Sequence, residues 1–344
     1  MIYVLCPPNS VTGGPDALHQ MVYYLNRSGI PAKIAYMTDT TLIRYEDIAI
    51  PEPYRCYVGS FMLDTGITDT EEDAVVIPEA FSSLARRYRR AKVFIWWLSV
   101  DNNHVRDYRF RKLLFLLKTP FFFAANRKNL KRAKQYYAFR LHNGPYRFGG
   151  RHGNTEHLCA SHYAYDYVSS RTDEKVLLCI EPISKAFLDA YRAGTPEGER
   201  EQVVLYNPRK SMPFVEQFTK HYPDIPFLPL TGMTQQELIE KYRQSMVYLD
   251  FGPFPGAERM PKEAVLFGCV VITGRNGASA FYEDVVIGDA YKFGNDEYSA
   301  VYGRIRDIFG SYETAVKDMA DYRRTVLSLE TAFETSLRSV FGCL

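Results

Sequence analysis

The sequence has little cysteine, almost no tryptophan and no long apolar run. Its six cysteines stand far apart, at 6, 56, 159, 179, 269 and 343. That spacing offers no metal-ligand set and no disulfide lattice. Buried free thiols in a reducing compartment are therefore expected. No run reaches the ~18 apolar residues of a spanning helix, so none is expected. The start, MIYVLCPPNS, is too short and lacks the basic residues of a signal peptide. Charge of one sign is also lacking. The 42 Lys and Arg stand against 40 Asp and Glu, so a net charge of +2 names no partner. A GxGxxG dinucleotide fingerprint is absent.

What is present is a chain long enough for about two domains. Hydrophobic residues make up 46% and charged residues 24%, a globular composition that excludes disorder. Aromatics are abundant, with 26 Tyr and 22 Phe. The positive charge is also unevenly spread. Thirteen Arg and Lys lie between Val105 and Gly153, opposed only by Asp107. Such a local field draws phosphate, lipid head groups or nucleic acid.

The pattern is that of an α/β chain. A short apolar strand at 2–6 runs into the loop PPNSVTGGPD. A helix follows, carrying Leu18, Met21, Val22 and Leu25, and stops at Gly29. A strand resumes over 31–36. Strand, glycine loop, helix and strand read as β-α-β with a buried parallel sheet. Further strands are predicted at 54–57, 74–77, 92–98 and 175–179. Helices are predicted at 82–90 and 184–193, and 159–168 reads as a helix or a buried connection. The polar stretch 194–202 is the predicted linker.

A second α/β unit is predicted from Val203. It has strands at 203–207, 226–229, 247–251 and 270–272, and helices from Pro213, Thr234 and Pro261. Thr234 and Glu237 form a capping-box signature. Gly268 is the stop of the helix that opens at Pro261. Helices over 298–309 and 313–340 close the chain. The expected domains are thus 1–195 with a basic insertion at about 105–152, 203–310, and C-terminal helices over 311–344 that cross back to the first.

The loops carry the chemistry. Asn207, Arg209 and Lys210 follow a strand and precede a helix, where a parallel sheet collects ligands. Two cations at a helix start suit a phosphate, though a solvated basic turn has the same sequence. The stretch YLDFGPFPGAERMPKEAVLFGCVVIT repeats that context. Gly256 permits close backbone approach. The amides from Gly256 through Ala257, Glu258 and Arg259 to Met260 are placed to face a diphosphate. Glu263, expected in the first helical turn, is a candidate for a ribose diol. Ser279, in NGASA, is a further donor. Three such loops in succession point to a sugar nucleotide. In the first unit, Gly13 and Gly14 let a substrate lie against backbone. Asp16 and His19, one turn apart, are candidates for a catalytic base. Asp101, just beyond WWLSV, is another. Trp96 and Trp97 read as core, with stacking on a sugar as the alternative.

Together these residues resemble the GT-B glycosyltransferases, whose two Rossmann-like domains face each other. Glu263-Ala264, Gly268 and the strand at 270–272 are similar to the second half of the two-glutamate motif of the retaining members. The place of the first glutamate is taken by Pro255, and Glu258 stands three residues later. Gly13 and Gly14 resemble the family's glycine loop. Arg209 and Lys210 resemble the basic pair that holds the donor diphosphate. The resemblance implies transfer of a sugar from a nucleoside diphosphate sugar to a hydroxyl acceptor, with Glu258, Asp16, His19 and Asp101 as catalytic candidates. It implies no cofactor and no metal site. Bacterial surface polysaccharide or glycolipid synthesis is the expected setting. A sugar-nucleotide epimerase, a phosphorylase or a non-catalytic nucleotide-sugar-binding subunit stay open.

The insertion extends that expectation. Arg109, Arg111 and Lys112 flank LLFLL, and Phe121 to Phe123 follow. A basic amphipathic element of this kind lies on an anionic membrane, which suits a glycan or lipid-linked acceptor. The other reading is a helical hairpin whose Leu and Phe face the core. Nucleic acid is not expected as a partner, since no RNA-binding motif accompanies the basic residues. The expected location is cytoplasmic, peripheral at the inner face of a membrane.

Overall fold

The computed structural model describes residues 1–103, 105–149, 154–194 and 199–342. Arg151 of the basic stretch, linker residues 195–198 and Cys343 lie outside the described residues, as do the side chains of Arg106 and Asp107. The chain forms two compact units, Met1–Glu181 with Thr331–Leu344, and Pro182–Glu330.

The first unit is built on seven parallel strands. They are β1 (Ile2–Cys6), β2 (Ala32–Tyr36), β3 (Met62–Leu63), β4 (Ala74–Pro78), β5 (Lys92–Trp97), β6 (Thr155–Cys159) and β7 (Val176–Leu178). Their order is β3-β2-β1-β4-β5-β6-β7. The strands are apolar nearly throughout because both faces are covered. Helix α1 (Gly13–Arg27) links β1 to β2. Helices α2 (Val105–Leu117), α3 (Thr119–Ala125) and α4 (Leu130–His142) form the insertion between β5 and β6, and α5 (His162–Ser169) follows β6.

The second unit opens with α6 (Lys185–Arg192). Its strands are β8 (Glu201–Tyr206), β9 (Phe227–Pro229), β10 (Ser245–Asp250), β11 (Val270–Gly274) and β12 (Lys292–Phe293). They too run parallel, in the order β12-β11-β10-β8-β9. The connecting helices are α7 (Pro208–His221), α8 (Gln235–Gln244) and α9 (Arg259–Leu266), with α10 (Tyr298–Gly310) and α11 (Tyr312–Ala315) after β12. The last helix, α12 (Ala320–Phe341), begins in the second unit and ends in the first. There Phe333 and Phe341 are buried against Tyr24, Trp96 and Phe94.

Several local expectations change. No strand forms at 54–57. Tyr54 ends a short 3-10 turn, and its hydroxyl accepts from the Thr12 N–H and donates to the Thr12 carbonyl. The predicted helix at 82–90 is a 3-10 segment over Glu79–Arg87. Helix α7 starts at Pro208, five residues before Pro213, because Asn207 caps it: its Oδ1 accepts from the Arg209 N–H at 3.1 Å. The capping box of α8 is present as expected, with Thr234 and Glu237 bonded reciprocally. Cys6, Cys159, Cys179 and Cys269 are buried free thiols, whereas Cys56 is exposed. Burial pushes the Cys269 thiol up to about 12, so it stays protonated and inert.

Candidate functional site

In the second sheet, β8 stands between β9 and β10. The chain leaves β8 for β9 on one side and leaves β10 for β11 on the other. The carboxyl ends of β8 and β10 therefore form the topological switch point, where open parallel sheets bind ligands. Two helices begin there, α7 after β8 and α9 after β10.

Packing at this point is tight. A Cβ on Gly252 would lie 2.8 Å from the Cβ of Lys210 and 2.9 Å from Oδ1 of Asp250. Only glycine lets the β10 loop cross so close to the first turn of α7. Asp250 fastens the crossing. Its carboxylate accepts from Ser211 Oγ at 3.2 Å, the Gly252 N–H at 2.9 Å and the Tyr248 hydroxyl at 3.1 Å. Burial raises its pKa, and the Gly252 amide works against that rise. Lys210 and Glu258 meet at the rim in an ion pair. Arg209, beside them, is exposed.

The third loop is locked to the second. Gly277 has φ +49°, and a Cβ there would lie 2.1 Å from the carbonyl oxygen of Phe254. The Ala278 N–H donates to that oxygen at 2.8 Å, and Asn276 Nδ2 donates to the Gly252 carbonyl at 3.1 Å. Ser279, expected as a ligand donor, is fully buried. Its hydroxyl donates to Gly274 and Asn276 carbonyls and accepts from the Asn276 N–H, closing its own turn.

Helix α9 begins at Arg259 with Glu258 as N-cap, two residues before the expected start. Pro261 falls within the first turn, where its missing N–H costs nothing. Glu263 is thereby moved to the second turn and buried. The Tyr242 hydroxyl donates to its Oε2 at 3.4 Å. Gly256 is buried, Ala257 is half-buried, and Arg259 donates from Nη1 to Ser184 Oγ at 3.3 Å. Gly268 ends the helix with φ +96°, as its place in the sequence predicts. Asn207, besides capping α7, donates from Nδ2 to the Met260 sulfur at 3.3 Å.

In the first unit, α1 starts at Gly13, which is exposed, and Gly14 is half-buried. Asp16 and His19 lie one turn apart on α1, and the Asp16 charge acts on the His19 ring, but other groups hold both ring nitrogens of His19. Asp16 accepts from Gln20 Nε2 at 2.9 Å. His19 is fully buried and stacks on Tyr54. Its Nδ1 lies 2.6 Å from the Pro15 carbonyl, which can only accept, so Nδ1 carries the proton. Nε2 then accepts from the Tyr36 hydroxyl at 2.9 Å. Burial lowers its pKa. With both nitrogens engaged and no access, His19 is a core histidine. Trp96 and Trp97 are likewise fully buried, and donate to the Cys179 carbonyl and to His157 Nδ1. Neither can stack on a sugar. Asp101 differs from these: it is exposed in a short turn just past β5.

The insertion has its own aromatic core. Phe115, Phe122 and Phe123 all contact the Tyr137 ring. Arg132 ties α4 to the first unit, donating to the Ile43 carbonyl and lying 4.1 Å from the Tyr45 ring centroid. The leucines do not face a core. Phe110, Leu113, Leu114 and Leu117 are 63%, 55%, 40% and 67% exposed, and Phe121 is 77% exposed. No described helix is long and apolar enough to cross a membrane.

No protein-family model matches the chain, and no curated protein sequence matches it. Solved structures do. A glycosyltransferase from Rickettsia africae aligns over 99% of this chain and 97% of its own, at 12% identity and TM-score 0.59. The lipopolysaccharide outer core galactosyltransferase WaaB aligns over 100% and 99%, at 10% identity and TM-score 0.57. Staphylococcus aureus TarM, solved with fondaparinux, alpha-GlcNAc-glycerol and UDP, aligns over 81% of this chain at 11% identity and TM-score 0.54. This chain spans 57% of TarM.

The fold is GT-B.

Within that GT-B fold, some contributors were missed by sequence reasoning. Asp250 and Ser211 organise the switch point, yet an aspartate ending a strand and a serine inside a helix carry no signal of their own. Gly252, in the loop after β10, carries no signal of its own either. Its need becomes apparent once Lys210 is placed beneath it.

Proposed function

We propose that this chain is a glycosyltransferase that moves a sugar from a nucleoside diphosphate sugar to a hydroxyl acceptor. The supporting observation is the switch point of the second sheet, where the starts of α7 and α9 meet beside Lys210 and Arg209. The dipoles of the two helices and the two cations favour an anion there. In the reaction the bond between the anomeric carbon and the diphosphate breaks, and a bond to the acceptor oxygen forms. Lys210, Arg209 and the amides following Gly256 and Ala257 stabilise the negative charge on the departing diphosphate. Glu258 holds Lys210 at the rim, and Asp250 holds the loop that Glu258 terminates. Glu263, buried on Tyr242, supports α9 from within and is the proposed contact to the donor ribose.

The first unit, 1–195 in the expected division, takes the acceptor. The donor belongs to 203–310, and the C-terminal helices over 311–344 run from the second unit into the first, which Thr331–Leu344 joins. Asp101 accepts the hydroxyl proton, because His19 is sealed in the core and Asp16 is buried on Gln20. No step needs a resident metal or cofactor. The donor nucleotide is proposed to be UDP, as in the TarM complex, and the acceptor a glycan or glycolipid of a bacterial surface, as for WaaB.

The outward face of α2 adds a location. Four apolar side chains at i, i+3, i+4 and i+7 face outward, flanked by Arg109 and Lys118. Such a face lies on an anionic bilayer at the inner side of a membrane. The triple substitution F110S/L113S/L117S should abolish co-sedimentation with phosphatidylglycerol vesicles while leaving the fold intact. Undiminished co-sedimentation would refute the membrane reading. The catalytic reading is tested by incubating the protein with UDP-sugars and glycan acceptors and following UDP release. Hydrolysis-level release with every pair, despite donor binding, favours a binding subunit instead.

A further inference from the structure

The insertion borders an open cavity to which it contributes charged and aromatic side chains. Helix α2 carries two stripes at the same helical spacing. Phe110, Leu113, Leu114 and Leu117 face outward, while Tyr108, Arg111, Lys112 and Phe115 line a cavity of about 330 Å³. A soluble helix is expected to bury its apolar stripe and expose its charged one. Here the charged stripe points into a concave site. Arg140, from α4, completes the wall. The floor is the carboxyl end of the first sheet, reached through Thr40 after β2, Ala80 after β4 and Asp101 after β5. The volume is within the ~300–1,000 Å³ of small-ligand sites.

Three cations share this cavity with one carboxylate, Asp101. Among the described residues, Arg111, Lys112 and Arg140 have no ion-pair partner. Lys112 and Arg140 are held by aromatic groups instead. Lys112 donates to the Tyr108 hydroxyl at 3.2 Å, and the Arg140 guanidinium lies 5.1 Å from the Phe115 ring centroid. Tyr108 is itself fixed. A Cβ on Gly144 would come within 2.9 Å of its ring, so the ring lies directly on that backbone. Three cations against one carboxylate leave the cavity lining with an excess of positive charge, which a bound anion offsets. Guanidinium forks suit a phosphate in particular.

We propose that this cavity is the acceptor subsite and that the acceptor carries a phosphate group, bound by Arg111, Lys112 and Arg140 beside Asp101. The inference rests on the glycosyltransferase reading only in calling the bound molecule an acceptor. The phosphate is that of a lipid headgroup or of a free phosphorylated compound. The outward stripe on the same helix is compatible with either.

The test is calorimetric titration of the full chain with octyl phosphate, inorganic phosphate and octyl glucoside, each below any micellar concentration. The triple variant R111Q/K112Q/R140Q is titrated alongside, and UDP is titrated into both proteins. The variant alters only partly or fully exposed side chains, and its fold is checked by circular dichroism. Saturable binding of octyl phosphate, at least tenfold weaker in the variant, supports the proposal. Inorganic phosphate binding with similar strength identifies a free phosphate source. Binding of octyl phosphate alone identifies a lipid headgroup. Equal binding of octyl glucoside, or phosphate binding unchanged in the variant, overturns the proposal, as does no binding of either phosphate. UDP binding unchanged in the variant keeps the two questions separate. If UDP fails to bind while octyl phosphate binds, the donor reading falls and the cavity stands.

Discussion

His19 shows how a single side chain changes meaning with its surroundings. A histidine one turn from an aspartate at a glycine loop has the composition of a catalytic base. Full burial, the Pro15 carbonyl and the Tyr36 hydroxyl make it a neutral structural group. Burial lowers its pKa below that of a free imidazole, about 6.5. The neutral form is then favoured in the folded state. The stability it contributes is full above the unfolded value and is lost as pH falls through the lower folded one. His19→Gln should therefore flatten the fall in urea midpoint between pH 7 and pH 5 relative to the parent chain. An equal slope in both proteins would show that His19 is not buried neutral. Asp101, by contrast, is exposed at a strand end. Asp101→Asn should leave UDP binding within about twofold and reduce transfer by the ~10²–10⁴ typical of a lost general base. Equal loss of both would place Asp101 in the donor site or the fold.

At the scale of elements, the loops of the second unit act as one fastened group. Gly252 lets the β10 loop cross α7, and Gly277 lets the β11 turn sit on the Phe254 carbonyl. Gly277→Ala combines a left-handed φ with a 2.1 Å clash against backbone, and should cost roughly 2 kcal/mol or more. Urea unfolding measures that cost, and UDP titration should show weaker binding as the β10 loop shifts. A neutral Gly277→Ala would mean that the loops are not coupled. Much of this was legible locally. Strand, glycine loop and helix start were readable at 248–273, and so were the capping box at Thr234 and the stop at Gly268. The exact start of α9 was not, because Pro261 is acceptable at any first-turn position and Glu258 caps without a side-chain bond. Nor was the outward direction of the α2 leucines. A helix with two interleaved stripes has no single apolar face for periodicity to detect.

At the scale of the molecule, the two parallel sheets follow from apolar strands alternating with helices, and that rhythm survives in the sequence without any matching family model. The α/β class and the basic insertion were therefore legible from one chain. The strand order was not, since the position of β9 beside β8 and of β10 on its other side depends on long-range pairing. That order is what creates the switch point and gathers Lys210, Glu258, Asp250 and Gly252, residues that are up to 48 positions apart. The central claim is that this point binds a nucleoside diphosphate. It is tested most directly by thermal unfolding and titration with UDP, GDP, CDP and TDP, on the parent chain and on Lys210→Met. At least one diphosphate should stabilise the parent chain, by about 2.7 kcal/mol at a hundredfold excess over its dissociation constant. Lys210→Met should bind it at least tenfold more weakly, since a charged hydrogen bond contributes ~1.5–3 kcal/mol. Failure of all four at millimolar concentration, or equal binding by Lys210→Met, would contradict the account.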